Sequence, residues 1–259
     1  MRLTVHFEPP ADDGANDGGP VTVGWLLNDP RGSVIYGPPS RVRSVDRGAP
    51  PPAKSAARCP AMLGLESRLF EIKCPFDLAL DYVRDDFGRP AVRDRLGNAA
   101  SLRPDRIDEL IHWVEEDEWR SPERPTLQLA LPYIFVADEP VYLSQWAPMF
   151  HYRAEPLPGL MLSGRFPINV WPRPLMWGFE WHDTTAPLIL RRGEPLFYVQ
   201  FETTPQHRAI QLVEAERTAE LDEYLVMIEG VVSYVGQTFS LFKTAESRRP
   251  ARLLTPRRR

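Results

Sequence analysis

The chain has 259 residues, 43% of them hydrophobic and 25% charged, which is enough to bury a full core in one large domain or two small ones. A formal net charge of −4 gives no bulk attraction to nucleic acid or to an anionic membrane surface. No apolar stretch is long enough to span a bilayer, and two cysteines cannot supply a disulfide framework, so the expected location is the cytoplasm.

Proline is abundant, at 28 residues, which favours loops, turns and short strands over long helices. Basic charge is carried almost wholly by arginine, with Lys54, Lys73 and Lys243 the only lysines. Residues 2–8 alternate Leu3, Val5 and Phe7 against polar neighbours, the period of a strand, and carry no signal-peptide core. Loops rich in proline, glycine and small residues follow near 9–20 and 37–57, with a strand from Val21 to Leu27 between them. Short strands are expected over Leu65–Ile72 and Phe76–Val83. A helix then opens at Arg103-Pro104-Asp105 and runs toward Pro122, with Ile107, Leu110, Ile111 and Val114 at helical spacing.

Residues 126–203 are the most strand-like part of the chain. Leu127, Leu129 and Leu131 alternate, strands are expected at 133–136, 141–143, 159–162, 166–171, 188–190 and 196–201, and 207–214 reads as an edge strand. Trp177, Phe179 and Trp181 alternate strictly, which sets three aromatic rings on one sheet face. After Thr218, a candidate N-cap, the period becomes helical. Leu221, Tyr224, Leu225, Ile228, Val232, Val235, Phe239 and Phe242 form one stripe over 218–246, interrupted only by Gly230 and Gly236. A basic tail, 247–259, ends the chain. The expected class is mainly β (α+β). A barrel-like or double-sheet core carries one mid-chain helix and a long C-terminal helix, in a single domain over 1–259.

Candidate sites are few. Trp171, Trp177, Phe179 and Trp181 read either as the lining of a pocket for a planar or proline-rich ligand or as core packing. An iron centre of the two-histidine, one-carboxylate type would draw on His151, His182 and Asp183, although adjacent residues 182 and 183 point to opposite faces of a strand. Cys59-Pro60 and Cys74-Pro75 lack the further ligands of a zinc site and the Cys-x-x-Cys spacing of a redox pair. There is no Gly-x-Ser-x-Gly elbow, no phosphate-binding loop and no dinucleotide fingerprint.

Gly159-Leu160-Met161-Leu162 and the step from Leu190 through Arg191-Arg192-Gly193-Glu194-Pro195 to Tyr198 resemble the core of the dUTPase-like β-clip fold, over residues 158–201. Bacterial and phage-encoded proteins with an upstream Cys-Pro step look similar. The resemblance implies a β-clip barrel. However, Leu162 stands where that family places its water-activating aspartate, and the phosphate-binding Arg-Ser-Gly motif is missing, so nucleotide hydrolysis is not implied. Three readings follow. The first is a binding domain for a small molecule, peptide or protein partner, with no cofactor and with catalysis not evident. The second is a non-haem iron oxygenase of the double-stranded β-helix type. The third is a structural or assembly protein, phage-related, that forms homo-oligomers through its C-terminal helix. None involves a membrane or nucleic acid.

Overall fold

The computed structural model describes residues 19–28, 34–43, 55, 58–204, 208–232 and 238–257. The strand expected at 2–8 and most of the two proline-rich loops lie outside them. In chain order the elements are β1 (Val21–Leu27), β2 (Ser40–Arg41), α1 (Pro60–Glu66), β3 (Leu69–Lys73), β4 (Leu78–Arg84) and β5 (Pro90–Asp94). Next come α2 (Pro104–Leu110), β6 (Ile111–Trp113), β7 (Thr126–Ala130), β8 (Tyr133–Val136), β9 (Val141–Trp146), β10 (Gly159–Leu162) and β11 (Arg165–Pro167). The last are β12 (Met176–Trp181), β13 (Leu188–Leu190), β14 (Pro195–Thr203), β15 (Ile210–Glu214), α3 (Ala219–Val232) and α4 (Thr238–Ser247). The protein is mainly β. No described helix is long and apolar enough to cross a membrane.

The strands form four sheets, ordered β15-β1-β8, β10-β12-β7-β6, β11-β9-β14-β3-β2 and β13-β4-β5. None closes into a barrel among the described strands, which corrects the barrel part of the expectation. Inward-facing side chains from all four sheets meet in one core, where Phe201 of the five-stranded sheet packs on Phe135 of the three-stranded sheet with centroids 5.4 Å apart. The strand β1 lies between two cores, as its nearly unbroken apolar run requires. Val21 and Val23 face the main core, while Leu26 faces a second one built with α3, α4 and Leu253–Leu254. The edge strand expected near 207–214 is β15, which runs parallel to β1.

The helices depart from the expectation in three places. Pro60 seeds α1 where a strand was expected from Leu65, so β3 begins only at Leu69. The helix α2 stops at Leu110 instead of continuing toward Pro122. Glu115, Glu116, Asp117 and Glu118 would stack negative charge at its carbonyl end, and Ile111 and Trp113 instead pair with Leu129 and Leu127 as β6.

The third departure is the long C-terminal helix, which is two helices. The Tyr224 hydroxyl lies 2.8 Å from Val170 O and 3.0 Å from Ala245 O, whereas one straight helix would hold residues 224 and 245 roughly 30 Å apart at 1.5 Å per residue. Thr218 caps α3 through Leu221 N, at 3.2 Å. Leu221, Tyr224, Leu225 and Ile228 then cover the outer face of β1 and β8, so this part of the stripe is spent within the chain.

The basic tail docks as well. Asp138 Oδ1 accepts from Leu253 N and Leu254 N at 2.6 and 3.1 Å, and Arg249 donates to Asn169 O at 2.6 Å and Asp138 O at 2.9 Å.

Candidate functional site

The four aromatics singled out by pattern sit inside the protein. Trp177, Phe179 and Trp181 do share one face of β12, and Trp177 stacks on Phe179 at 5.2 Å with planes 6° apart. All three are fully buried in the main core, and Trp181 meets Tyr82 of β4 at 6.1 Å. Trp171 belongs to the second core, edge-on to Phe242 of α4 at 5.8 Å. None of the four lines the cleft described below.

The candidate iron ligands are not brought together. His151 lies 3.7 Å from Glu194, His182 Nε2 lies 2.7 Å from Glu180 Oε1, and Asp183 turns to the Thr185 hydroxyl and amide. Among the described residues no three His, Cys, Asp or Glu side chains are placed to hold a metal ion.

The opposite face of β12 carries a feature that the aromatic alternation concealed. Glu180 is 1% exposed, with one carboxylate oxygen on His182 and the other without a hydrogen-bond partner. Arg120 and Arg124 stand 3.7 and 3.8 Å away, within ion-pair range but beyond hydrogen-bond length. Burial of a carboxylate is costly, and the two arginines together with the His182 hydrogen bond offset it. The result is a polar staple between β12 and the segment before β7, with no cleft beside it among those described.

A concavity walled by side chains of the main core lies elsewhere, at the junction of α2, residues 34–37 and the β7–β8 connection. It has a volume of about 270 Å³. Its walls are Phe76, Leu102, Leu110 and Leu131, all members of the main core, together with Val34 and Tyr36. Leu131 N to Leu175 O and Leu175 N to Tyr133 O, both 2.9 Å, bring Pro174 against the floor. The Tyr133 hydroxyl donates to Gly37 O at 2.6 Å and fixes residues 34–37 as the opposite wall, with Tyr36 edge-on to Tyr133 at 5.9 Å. Burial pushes the Tyr36 phenol above its ordinary range, so it stays neutral and serves as a hydrogen-bonding group. Charge is confined to Arg106 and Glu109, which pair with each other, and Asn28 accepts from Arg217.

A second lobe, about 360 Å³, adjoins the first and shares Val34, Phe76 and Leu102 with it. Cys74 lies in its floor, with Sγ 3.0 Å from Phe76 O, and desolvation pushes this thiol up to about 12. Cys59, by contrast, is exposed, and neither cysteine is in a disulfide. A thiol-selective chromophore added to the native protein is therefore expected to titrate Cys59 promptly and Cys74 only on denaturation. Prompt reaction of two equivalents would contradict the burial of Cys74.

These lining residues escaped the sequence reading because they come from segments far apart in the chain. Pattern could mark Leu110 and Leu131 as core but not as the wall of an opening. Comparison with protein-family models, with curated proteins and with solved structures finds no match.

Proposed function

We propose that the protein is a binding domain for a small molecule, held in the cleft between α2, residues 34–37 and the β7–β8 connection. The observation that carries this reading is the composition of the cleft, with core side chains as walls, few polar groups among them and its two charged groups paired with each other. That is the usual make-up of a small-molecule site. The volume suits a ligand of modest size, and the neutral Tyr36 phenol beside the apolar walls favours a largely uncharged body.

The neutral fluorophore N-phenyl-1-naphthylamine tests the reading. A saturable, single-site rise in emission is expected, with affinity reduced at least about tenfold when Leu102→Trp or Ala130→Phe fills the cleft, the loss of one bulky apolar group from a pocket being worth about 1–3 kcal/mol. Both variants are checked by their unfolding midpoints, and two positions are used so that one misfolded variant does not decide the result. Emission that never saturates, or that is indifferent to both substitutions in folded protein, would sink the proposal.

A further inference from the structure

The two lobes differ in charge, and that difference bears on the class of ligand. In the first lobe the charged rim is already satisfied, since Arg106 and Glu109 pair with each other. Among the described residues, the charged groups lining the second lobe are cations, Lys73 and Arg192. Their acidic partners, Glu71 at 3.3 Å and Asp77 at 3.7 Å, hold them from outside and do not line the lobe. Both cations are more than half exposed, so each can turn to a ligand at little cost. The floor adds no opposing charge, because the buried Cys74 thiol keeps its proton.

We propose that the ligand is an amphipathic anion, with its apolar body in the first lobe against Leu110 and Leu131 and its oxyanion head in the second, met by Lys73 and Arg192. The proposal rests on the cleft being the binding site. The two lobes share the Val34, Phe76 and Leu102 side chains as their common wall, so a ligand that reaches both must pass these three residues, and a flexible chain does so more easily than a rigid ring system. Lys73 supplies a point charge and Arg192 a planar fork, a pair that accepts carboxylate or phosphate alike.

The test is displacement of bound N-phenyl-1-naphthylamine by decyl compounds that differ only in the head. Decanoate and decyl phosphate are expected to displace it at concentrations about tenfold lower than decanol, because only their heads form charge-assisted hydrogen bonds to Lys73 and Arg192. Decyltrimethylammonium should displace it least. Comparison of decanoate with decyl phosphate tells a carboxylate source from a phosphate one. In the Lys73→Ala/Arg192→Ala variant the preference over decanol should vanish, each competitor being scored against the fluorophore affinity of that same variant, and Lys73→Glu/Arg192→Glu should favour the ammonium head.

If the fluorophore binds but decanol competes as well as decanoate, the inference fails and the cleft reading stands. The same holds if the preference for anions survives the double substitution. If the fluorophore does not bind saturably, the cleft reading fails and takes the inference with it.

Discussion

Trp177→Ala is expected to cost about 3–5 kcal/mol of folding stability and to leave ligand binding in the folded molecules unchanged. The side chain is fully buried, stacked flat on Phe179, and carried by a strand that is paired to β7 and β10 on either side. Truncation would leave a cavity that rigid sheet neighbours cannot close. Since small domains hold only about 5–15 kcal/mol in all, the variant should sit near the edge of unfolding. Trp177→Phe separates packing from polarity. It keeps a ring against Phe179 and removes an indole N–H that has no hydrogen-bond partner, so a far smaller loss is expected. Urea unfolding checks both variants: the midpoint should fall steeply for alanine and little for phenylalanine, with the slope unchanged. Fluorophore binding that disappears in still-folded Trp177→Phe would return these aromatics to the status of ligand contacts.

That experiment marks the limit of what the chain discloses by itself. The alternation Trp177, Phe179, Trp181 was legible because the strand period is local, and β12 forms as expected. Whether the rings meet a ligand or another sheet depends on Tyr82, nearly a hundred positions earlier, and no pattern within 176–181 contains that partner. The helical stripe failed differently. Its period runs on in phase from Leu221 to Phe242, so nothing in the spacing distinguishes one rod from a hairpin, and the decision falls to the Tyr224 hydroxyl between Val170 and Ala245. The cleft was least legible of all. Tyr36, Phe76, Leu102 and Leu131 are ordinary apolar residues in sequence, and only their incomplete convergence leaves an opening.

Gly159→Ala is the second large effect expected, and here the cause is crowding. A Cβ at this position would lie 2.0 Å from the Glu180 carbonyl oxygen and 2.9 Å from the Phe179 ring, and backbone cannot step aside as a side chain can. Relief requires β10 to lift from β12, which takes with it the bonds from His182 N and Asp183 N to Pro158 O, at 2.9 and 2.8 Å. A loss of about 3 kcal/mol, the upper end for overpacking, is expected. Gly178→Ala provides the contrast on the same pair of strands, because its Cβ would meet only the Leu162 side chain, at 3.2 Å or more. Thermal unfolding of the two variants, with amide exchange of Leu160 and Met161 as a local probe, reads the difference. Equal midpoints would show that β10 is free to shift and is not pinned against β12.

The parallel pairing of β1 with β15 has a kinetic consequence. Val21 finds Ile210, and Gly24 packs beneath Leu254, so the strand nearest the start of the fold completes its contacts only with the last described residues. Contacts of such long sequence separation slow folding, since loop-closure entropy is lost well before the pairing repays it. During synthesis β1 can pair with β8 once residues 133–136 have emerged, but its other edge stays open until residues 210–214 follow. Refolding from denaturant is expected to be slow at this sheet, and co-translational chaperone contact should centre on Val21–Leu27.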